Sequence, residues 1–367
     1  MGIKNLRQLV ERHAPGVRED HTIEYFKGSK IAIDSSILLY RYLYSKGHLN
    51  QPHIVGFLNN VIYFLKNGVV PLFVWDGTPP QEKGKTLSKR SDNKKRLEER
   101  MSELTKKIEI IQEELTLTDD DDHQGHNLPT FPDQDELDKF IENQEKLRVY
   151  QNEYQTVSKQ LIHVTSEHKS DVKFIMQLLQ IPNLAAKGEA EALCADLVKQ
   201  GKVDYVMSED TDTLAHGSPN LIQRGAKNNE FVLSRLDEIL EGFEFSYEQF
   251  VDFCILSGCD YTCTIPKIGP ITAYKFVKKW GSIEMIIANL PKKFSVPPDF
   301  DYKTARKLFI ESFPMPPGWS VNVEGIGCIQ WEYNFTTFMA EKGFNQYQIQ
   351  KYIQEITNAL NEFKINY

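Results

Sequence analysis

An α/β fold, with a central parallel-rich sheet flanked by helices, is predicted by three apolar runs that each deliver a carboxylate at or just beyond their ends. These are Ile31-Ala32-Ile33-Asp34, Val70 to Asp76, and Val203 to Met207 followed by Asp210. Short β-branched runs alternating with helical patterns are the mark of a parallel sheet. In such a sheet the C-terminal strand ends lie on one edge, so Asp34, Asp76 and Asp210 are expected to share a rim.

The first strand follows a short amphipathic segment that ends before Pro15, and Ser35-Ser36 then cap a helix over Ile37–Tyr44 that contains Tyr40. A second helix over roughly His53–Lys66 ends at Asn67-Gly68. Past the second strand the composition turns abruptly charged. Lys83, Lys85, Lys89, Arg90, Lys94, Lys95, Arg96, Arg100, Lys106 and Lys107 face only Asp92, Glu98, Glu99 and Glu103. Leu97, Met101, Leu104, Ile108, Ile111 and Leu115 recur at spacings of four and three, as do Leu147, Tyr150, Tyr154, Val157, Leu161 and Val164. Each seam is too narrow to face a globular core, which predicts an antiparallel helical hairpin with an acidic tip at Asp119-Asp120-Asp121-Asp122.

Gly188 to Leu214 holds two acid pairs, Glu189/Glu191 and Asp210/Asp212, on either side of an Ala/Leu-rich helix (Ala190–Leu197) and the third strand. Oxygen-only clusters without thiol or imidazole suit Mg²⁺ or Mn²⁺. The same pairs also fit as favourable first-turn charges and turn residues. Beyond them, Phe231–Val232 reads as a short strand, Ser234–Leu240 and Phe250–Gly258 as helices, then a turn through Cys259-Asp260-Tyr261 and Ile265 to Pro270, and helices near Ile271–Lys279 and Ile283–Asn289. A helix, a turn containing Lys267 and Gly269, and another helix can hold a phosphodiester on backbone N–H groups. Asn345 to Lys364 reads as a helix.

The chain has 367 residues, 41% apolar and 26% charged, and a net charge of −8 that hides its basic block. No long apolar run predicts a membrane span, and five cysteines without zinc-site spacing do not make a disulfide framework. An intracellular, reduced protein is expected.

The Met-Gly-Ile start, Ile-Ala-Ile-Asp at 31–34 and Val-Trp-Asp-Gly-Thr-Pro-Pro-Gln at 74–81 closely resemble the flap endonuclease branch of the XPG family of structure-specific 5′ nucleases. So do Glu-Ala-Glu-Ala at 189–192, Ser-Glu-Asp-Thr-Asp-Thr-Leu at 208–214, Cys-Ile-Leu-Ser-Gly-Cys-Asp-Tyr at 254–261 and Lys-Ile-Gly-Pro at 267–270. The resemblance covers residues 1 to about 290, apart from roughly 108–155. It implies that Asp34, Asp76, Glu189, Glu191, Asp210, Asp212 and Asp260 hold two Mg²⁺ ions, with Mn²⁺ as a substitute, about 4 Å apart for phosphodiester hydrolysis. It makes Lys83 and Arg90 the catalytic cations beside Asp34 and Asp210. Gly2, Tyr40, Lys83, Arg90, Glu189, Gly258, Asp260, Lys267 and Gly269 become DNA contacts. Thr264, Ile265 and Ile268 become a K⁺ site at the helix-turn-helix-type element.

The implied layout is a nuclease domain in two parts, 1–82 and 166–300, with a helical arch and acidic insertion at 83–165 and a C-terminal helical segment at 301–367. The implied activity is Mg²⁺-dependent endonucleolytic removal of 5′ flaps, with 5′-to-3′ exonuclease action, in DNA replication and repair. A 5′ exonuclease of the same family and a catalytically silent junction binder are the alternatives. Expected partners are flapped, nicked or gapped DNA, bound by a monomer in the nucleus or at a viral or cytoplasmic site of replication. The segment from Lys83 to Glu189 is longer than the family pattern. No clear sliding-clamp peptide is found, because Ile353 stands where the Gln346-to-Tyr352 run would need an aromatic.

Overall fold

The computed structural model describes residues 3–45, 49–116, 134–227 and 229–367. Two compact units are formed, one by Met1–Gly84 with Val164–Tyr367 and one by Lys85–His163.

In chain order, the first unit opens with α1 (Leu6–His13), β1 (Arg18–Thr22), β2 (Lys30–Asp34), α2 (Ser35–Ser45), α3 (Pro52–Lys66) and β3 (Val70–Trp75). Two long helices follow, α4 (Gly84–Thr116) and α5 (Gln134–Gln160). The first unit resumes with α6 (Ser166–Leu178), β4 (Asn183–Ala185), α7 (Ala190–Lys199), β5 (Tyr205–Met207), α8 (Asp212–Ala215), β6 (Asn220–Arg224) and β7 (Glu230–Arg235). It closes with helices α9 (Leu236–Phe243), α10 (Tyr247–Ser257), α11 (Pro270–Trp280), α12 (Ile283–Ala288), α13 (Tyr302–Ile310), α14 (Glu332–Glu341) and α15 (Gln346–Asn366).

The sheet runs β1-β7-β6-β5-β2-β3-β4. Its β6-β5-β2-β3-β4 stretch is parallel, while β7 pairs antiparallel with both β6 and β1. The sequence reading missed β1, β4 and β6, and its Phe231–Val232 strand lies in the first half of β7. Register aligns Asp34 with Val74 and Ile33 with Met207, so the ends of β2, β3 and β5 fall within about two residues of one another. From β2 the chain moves through α2 and α3 to β3; from β4 it returns through α7 to β5. Right-handed crossovers in opposite directions place these helices on opposite faces. The strand order therefore reverses between β2 and β5, the place where open α/β sheets form a ligand crevice.

Between their ends both middle strands are apolar because both faces are covered. Ile31, Ala32, Ile33, Phe73, Val74 and Trp75 are buried, and Trp75 stacks on Phe57 of α3 at 5.8 Å. An ion pair on a buried carboxylate anchors the helices beyond the sheet. Asp252 of α10 accepts from the Ile283 N–H at 2.9 Å and takes two bonds of 2.8 Å from Arg306 of α13. Arg306 also grips Glu284 of α12 at 2.8 Å.

In the second unit α4 and α5 run antiparallel. Arg100 makes a forked bond to Glu153 (2.9 and 3.0 Å), Lys107 lies 5.4 Å over the Tyr150 ring, and Glu114 accepts from Asn143 at 2.9 Å. Rising numbers on α4 thus meet falling numbers on α5. Leu104, Ile111 and Val157 are buried along this seam, whereas Leu161 and Val164 lie past the end of α5. Asp119 to Asp122 fall outside the described residues.

Candidate active site

The crevice between β2 and β5 is built by a relay of short polar bonds. Asp34, the last residue of β2, accepts the N–H groups of Ser36 (3.1 Å) and Ile37 (3.4 Å) through Oδ1. It therefore caps α2 itself. The sequence reading gave that task to Ser35 and Ser36, but the carboxylate takes it because α2 begins directly at Ser35. Asp34 Oδ2 accepts from the Ser208 hydroxyl at 3.2 Å, and the same hydroxyl accepts the Asp210 N–H at 3.1 Å. Asp210 Oδ1 in turn accepts the Asp212 N–H at 3.1 Å. Glu209, between them, turns outward to Arg41 (2.8 Å).

The second group comes from β3 and the loop after β4. Asp76 Oδ1 accepts the Ala190 N–H at 2.9 Å, a negative charge at the N-terminus of α7. The Gly77 N–H donates to the Gly188 carbonyl at 2.8 Å and that of Thr78 to Lys187 at 3.1 Å. A Cβ on Gly77 would lie 2.1 Å from the Ala186 carbonyl oxygen, so only glycine admits this approach. Glu189, at the N-cap of α7, receives the Lys83 ammonium on Oε1 and the Tyr261 hydroxyl on Oε2. Lys83 also stands 3.5 Å from Asp260.

These acids act on one another. Burial, then the charges of Asp76 and Asp210, push Asp34 up to about 7. Burial, then Asp34, Asp210, Glu189 and Asp212, raise Glu191 well above the usual carboxylate range. Asp212 is raised by burial, Asp210 and Asp260, and Asp210 chiefly by burial. All seven predicted carboxylates thus belong to one electrostatic cluster at the sheet's C-terminal rim. Burial would lower Lys83, but Glu189, Glu191 and Asp260 hold its pKa above the ordinary value.

The turn after α10 adjoins this cluster through Asp260. Gly258 has φ +113°, a region disfavoured for other residues, and a Cβ there would sit 3.1 Å from the Thr264 methyl. Ile265 and Ile268 are buried and joined by an N–H···O bond of 3.0 Å, Lys267 is left-handed at φ 67°, and Gly269 is the N-cap of α11. Tyr40 is 55% exposed on α2, so it is not a core aromatic. Arg90 is exposed on α4 in the second unit. Gly2 lies outside the described residues.

Family models describe residues 1–97 as an XPG N-terminal domain and 180–260 as an XPG I-region. Flap endonuclease 1 of Danio rerio is 34% identical over 98% of this chain and 87% of its own length. The chain belongs to the flap endonuclease branch of the XPG family. The Entamoeba histolytica flap endonuclease 1 is 31% identical over 98% of this chain and 88% of its own. Two solved structures share the fold. Flap endonuclease-1 from Methanococcus jannaschii has a TM-score of 0.61 at 19% identity, covering 98% of this chain and 99% of that one. The catalytic core of Rad2 in complex with DNA substrate has a TM-score of 0.65 at 17% identity, covering 97% and 100%.

Within this flap endonuclease architecture the structure adds three residues that the sequence reading left without a role. Ser208 ties Asp34 to Asp210, Tyr261 binds Glu189, and His216 meets the Tyr261 hydroxyl at 3.1 Å. Burial pushes His216 down to about 3, so its ring is neutral. Ser208 and Tyr261 stand inside motifs already quoted, but a hydroxyl's partner has no sequence signature.

Proposed function

We propose that this chain is a structure-specific endonuclease that removes 5′ single-stranded flaps where they meet duplex DNA, with 5′-to-3′ exonuclease action beside it. The observation that carries this reading is the electrostatic cluster of carboxylates at the sheet's rim, with the half-buried Lys83 held between Glu189 and Asp260. Flap endonuclease relatives that span almost the whole chain support the same substrate class.

The donor set fits divalent metal. The seven carboxylates offer hard oxygen donors, and Asp212 Oδ1 is buried with no hydrogen-bond partner among the described residues. Asp34, Asp76, Glu189, Glu191, Asp210, Asp212 and Asp260 would hold Mg²⁺ or Mn²⁺. Bound there, the metal pair would supply an activated water and stabilise the leaving oxygen.

The chain's own groups divide the remaining work. Lys83 offers a point charge to the scissile phosphate, and Arg90 a forked contact whose assignment rests on the family match across residues 1–97. Tyr40, exposed on α2, offers a ring for a base to stack on. Lys267, Gly269 and the start of α11 offer backbone N–H groups to duplex phosphates, with Gly258 close by. Thr264, Ile265 and Ile268 would hold K⁺ beside that duplex through carbonyls and a hydroxyl. The α4–α5 hairpin, within 83–165, would be the arch that admits the single strand. The protein would work as a monomer where DNA is replicated and repaired; no described helix is long and apolar enough to cross a membrane.

Incubation with Mg²⁺ and two labelled substrates, a 5′ flap and a nicked duplex, tests the activity. Release of the intact flap is the expected result. Mainly mononucleotides from both substrates would favour the exonuclease, and tight binding without cleavage would leave a junction binder.

The metal fit has a separate signature in stability. A carboxylate whose folded pKa is raised binds its proton more tightly when folded, so its contribution is complete below the unfolded pKa and is lost as pH rises through the folded one. For Asp34 that window runs from about 4, the ordinary aspartate range, to about 7. Thermal melts in EDTA are expected to show the protein losing stability across this window, by up to ~1.4 kcal/mol per pH unit per group. Added Mg²⁺ should restore more at pH 8 than at pH 5. Melting temperatures that ignore Mg²⁺ at pH 8 would refute the metal assignment.

A further inference from the structure

We infer that His216 is a positioning residue for the carboxylate rim, fixing the direction of the Tyr261 hydroxyl and through it the placement of Glu189. The inference rests on the reading of that rim as a metal-dependent nuclease centre. His216 is the C-cap of α8, the turn that begins with Asp212, and its N–H bonds to the Asp212 carbonyl at 2.9 Å. Its side chain is 2% exposed, walled by Phe309 at 5.1 Å between ring centres. Tyr261 packs on the same Phe309 at 4.9 Å.

The hydrogen-bond directions follow from chemistry. The Tyr261 hydroxyl has one hydrogen, and Glu189 Oε2 receives it. Its oxygen can then only accept from His216 Nε2, 3.1 Å away, so Nε2 carries the imidazole hydrogen. A directed line results: His216 to Tyr261, Tyr261 to Glu189 Oε2, with Lys83 closing on Oε1 and reaching Asp260 at 3.5 Å. The other ring nitrogen, Nδ1, is buried with no hydrogen bond of good geometry among the described residues, although the Phe309 backbone interacts with the ring. Phenylalanine would fill the space against Phe309 without leaving a buried nitrogen unsatisfied. What histidine adds is the bond to Tyr261.

Glu189, Glu191 and His216 also bring ligand atoms within 4.8 Å of one another, which raises direct ligation by imidazole as a rival. The Tyr261 hydroxyl argues against ligation through Nε2, because it engages both that nitrogen and Glu189; ligation through Nδ1 is an outcome the variants below separate. Groups that orient metal ligands typically change affinity or activity 10- to 100-fold when removed.

The test uses the full chain with His216→Phe and His216→Gln. Four quantities are read: single-turnover flap cleavage, flap affinity in Ca²⁺, melting temperature, and Mn²⁺ affinity by calorimetry without DNA. His216→Phe should slow single turnover about 10-fold or more and weaken Mn²⁺ several-fold, with flap affinity within about twofold. His216→Gln, which can still donate, should recover most of both losses. A phenylalanine variant equal to wild type in rate and Mn²⁺ affinity would reduce His216 to a packing residue. Loss that glutamine does not rescue, with Tyr261→Phe unaffected, would make His216 a direct ligand and overturn the relay. Should His216→Phe not fold, Tyr261→Phe decides, and it should show the same paired losses. A wild-type protein that binds Mn²⁺ but cleaves no flap would sink the nuclease reading while the Mn²⁺ comparison still judges the relay.

Discussion

Asp210→Ala is expected to lower single-turnover cleavage by about three orders of magnitude or more, equivalent to ~4 kcal/mol of transition-state stabilisation, while flap affinity changes only a few-fold. Asp210 sits between Ser208 and Asp212 in the relay that crosses from β5 to β2, so its loss removes one proposed ligand and the acceptor that orients a second. Misfolding would give a different result. Asp210 helps to raise Glu191, Asp212 and Asp34, and its removal relieves that repulsion. The metal-free variant should therefore melt no lower than wild type at neutral pH. Unchanged single-turnover rates would refute the role given to Asp210.

Lys83→Ala should slow chemistry by about 10²- to 10³-fold, the range seen when one preorganised electrostatic donor is removed. Here stability moves the other way. Lys83 is the cation paired with Glu189 and Asp260, and its loss leaves a denser negative cluster. The metal-free variant should melt below wild type near neutral pH and recover when Mg²⁺ is added. Arginine should rescue poorly, because a planar fork does not occupy the same space between two carboxylates. If rate and metal-free stability both match wild type, Lys83 belongs to a solvated basic face.

Asp34, Asp76 and Asp210 were legible because a buried parallel strand must be apolar throughout, so an acid at its end stands out. Glu189 and Glu191 were legible as a pair but not as part of a site, since first-turn acids occur on many helices. Their meaning came from the family motifs. The strand Arg18–Thr22 escaped because Arg-Glu-Asp-His-Thr is polar on both faces, as an outermost strand in water can be. Asn183–Ala185 is three residues long and carries no periodicity. The seams of the long helices announced their pairing, because a spacing of three and four leaves a stripe that only another helix covers. Tyr261 and His216 stayed invisible for a different reason: their partners lie 72 and 45 residues away, across two turns of the fold.

The knot of Asp252, Arg306 and Glu284 bears on how small such an enzyme can be made. It joins the helix that leads into Asp260 to residues well beyond the I-region match, which stops at 260. Trimming the chain to its recognisable motifs would remove Arg306, leaving the Asp252 carboxylate without its cation and uncovering the face of α10 on which α13 packs. The final helix, packed on α3 behind the strand that leads to Asp76, adds further support that trimming would remove. The last third of the molecule is thus a buttress rather than an appendage, and a minimal nuclease cut from this scaffold would have to replace it.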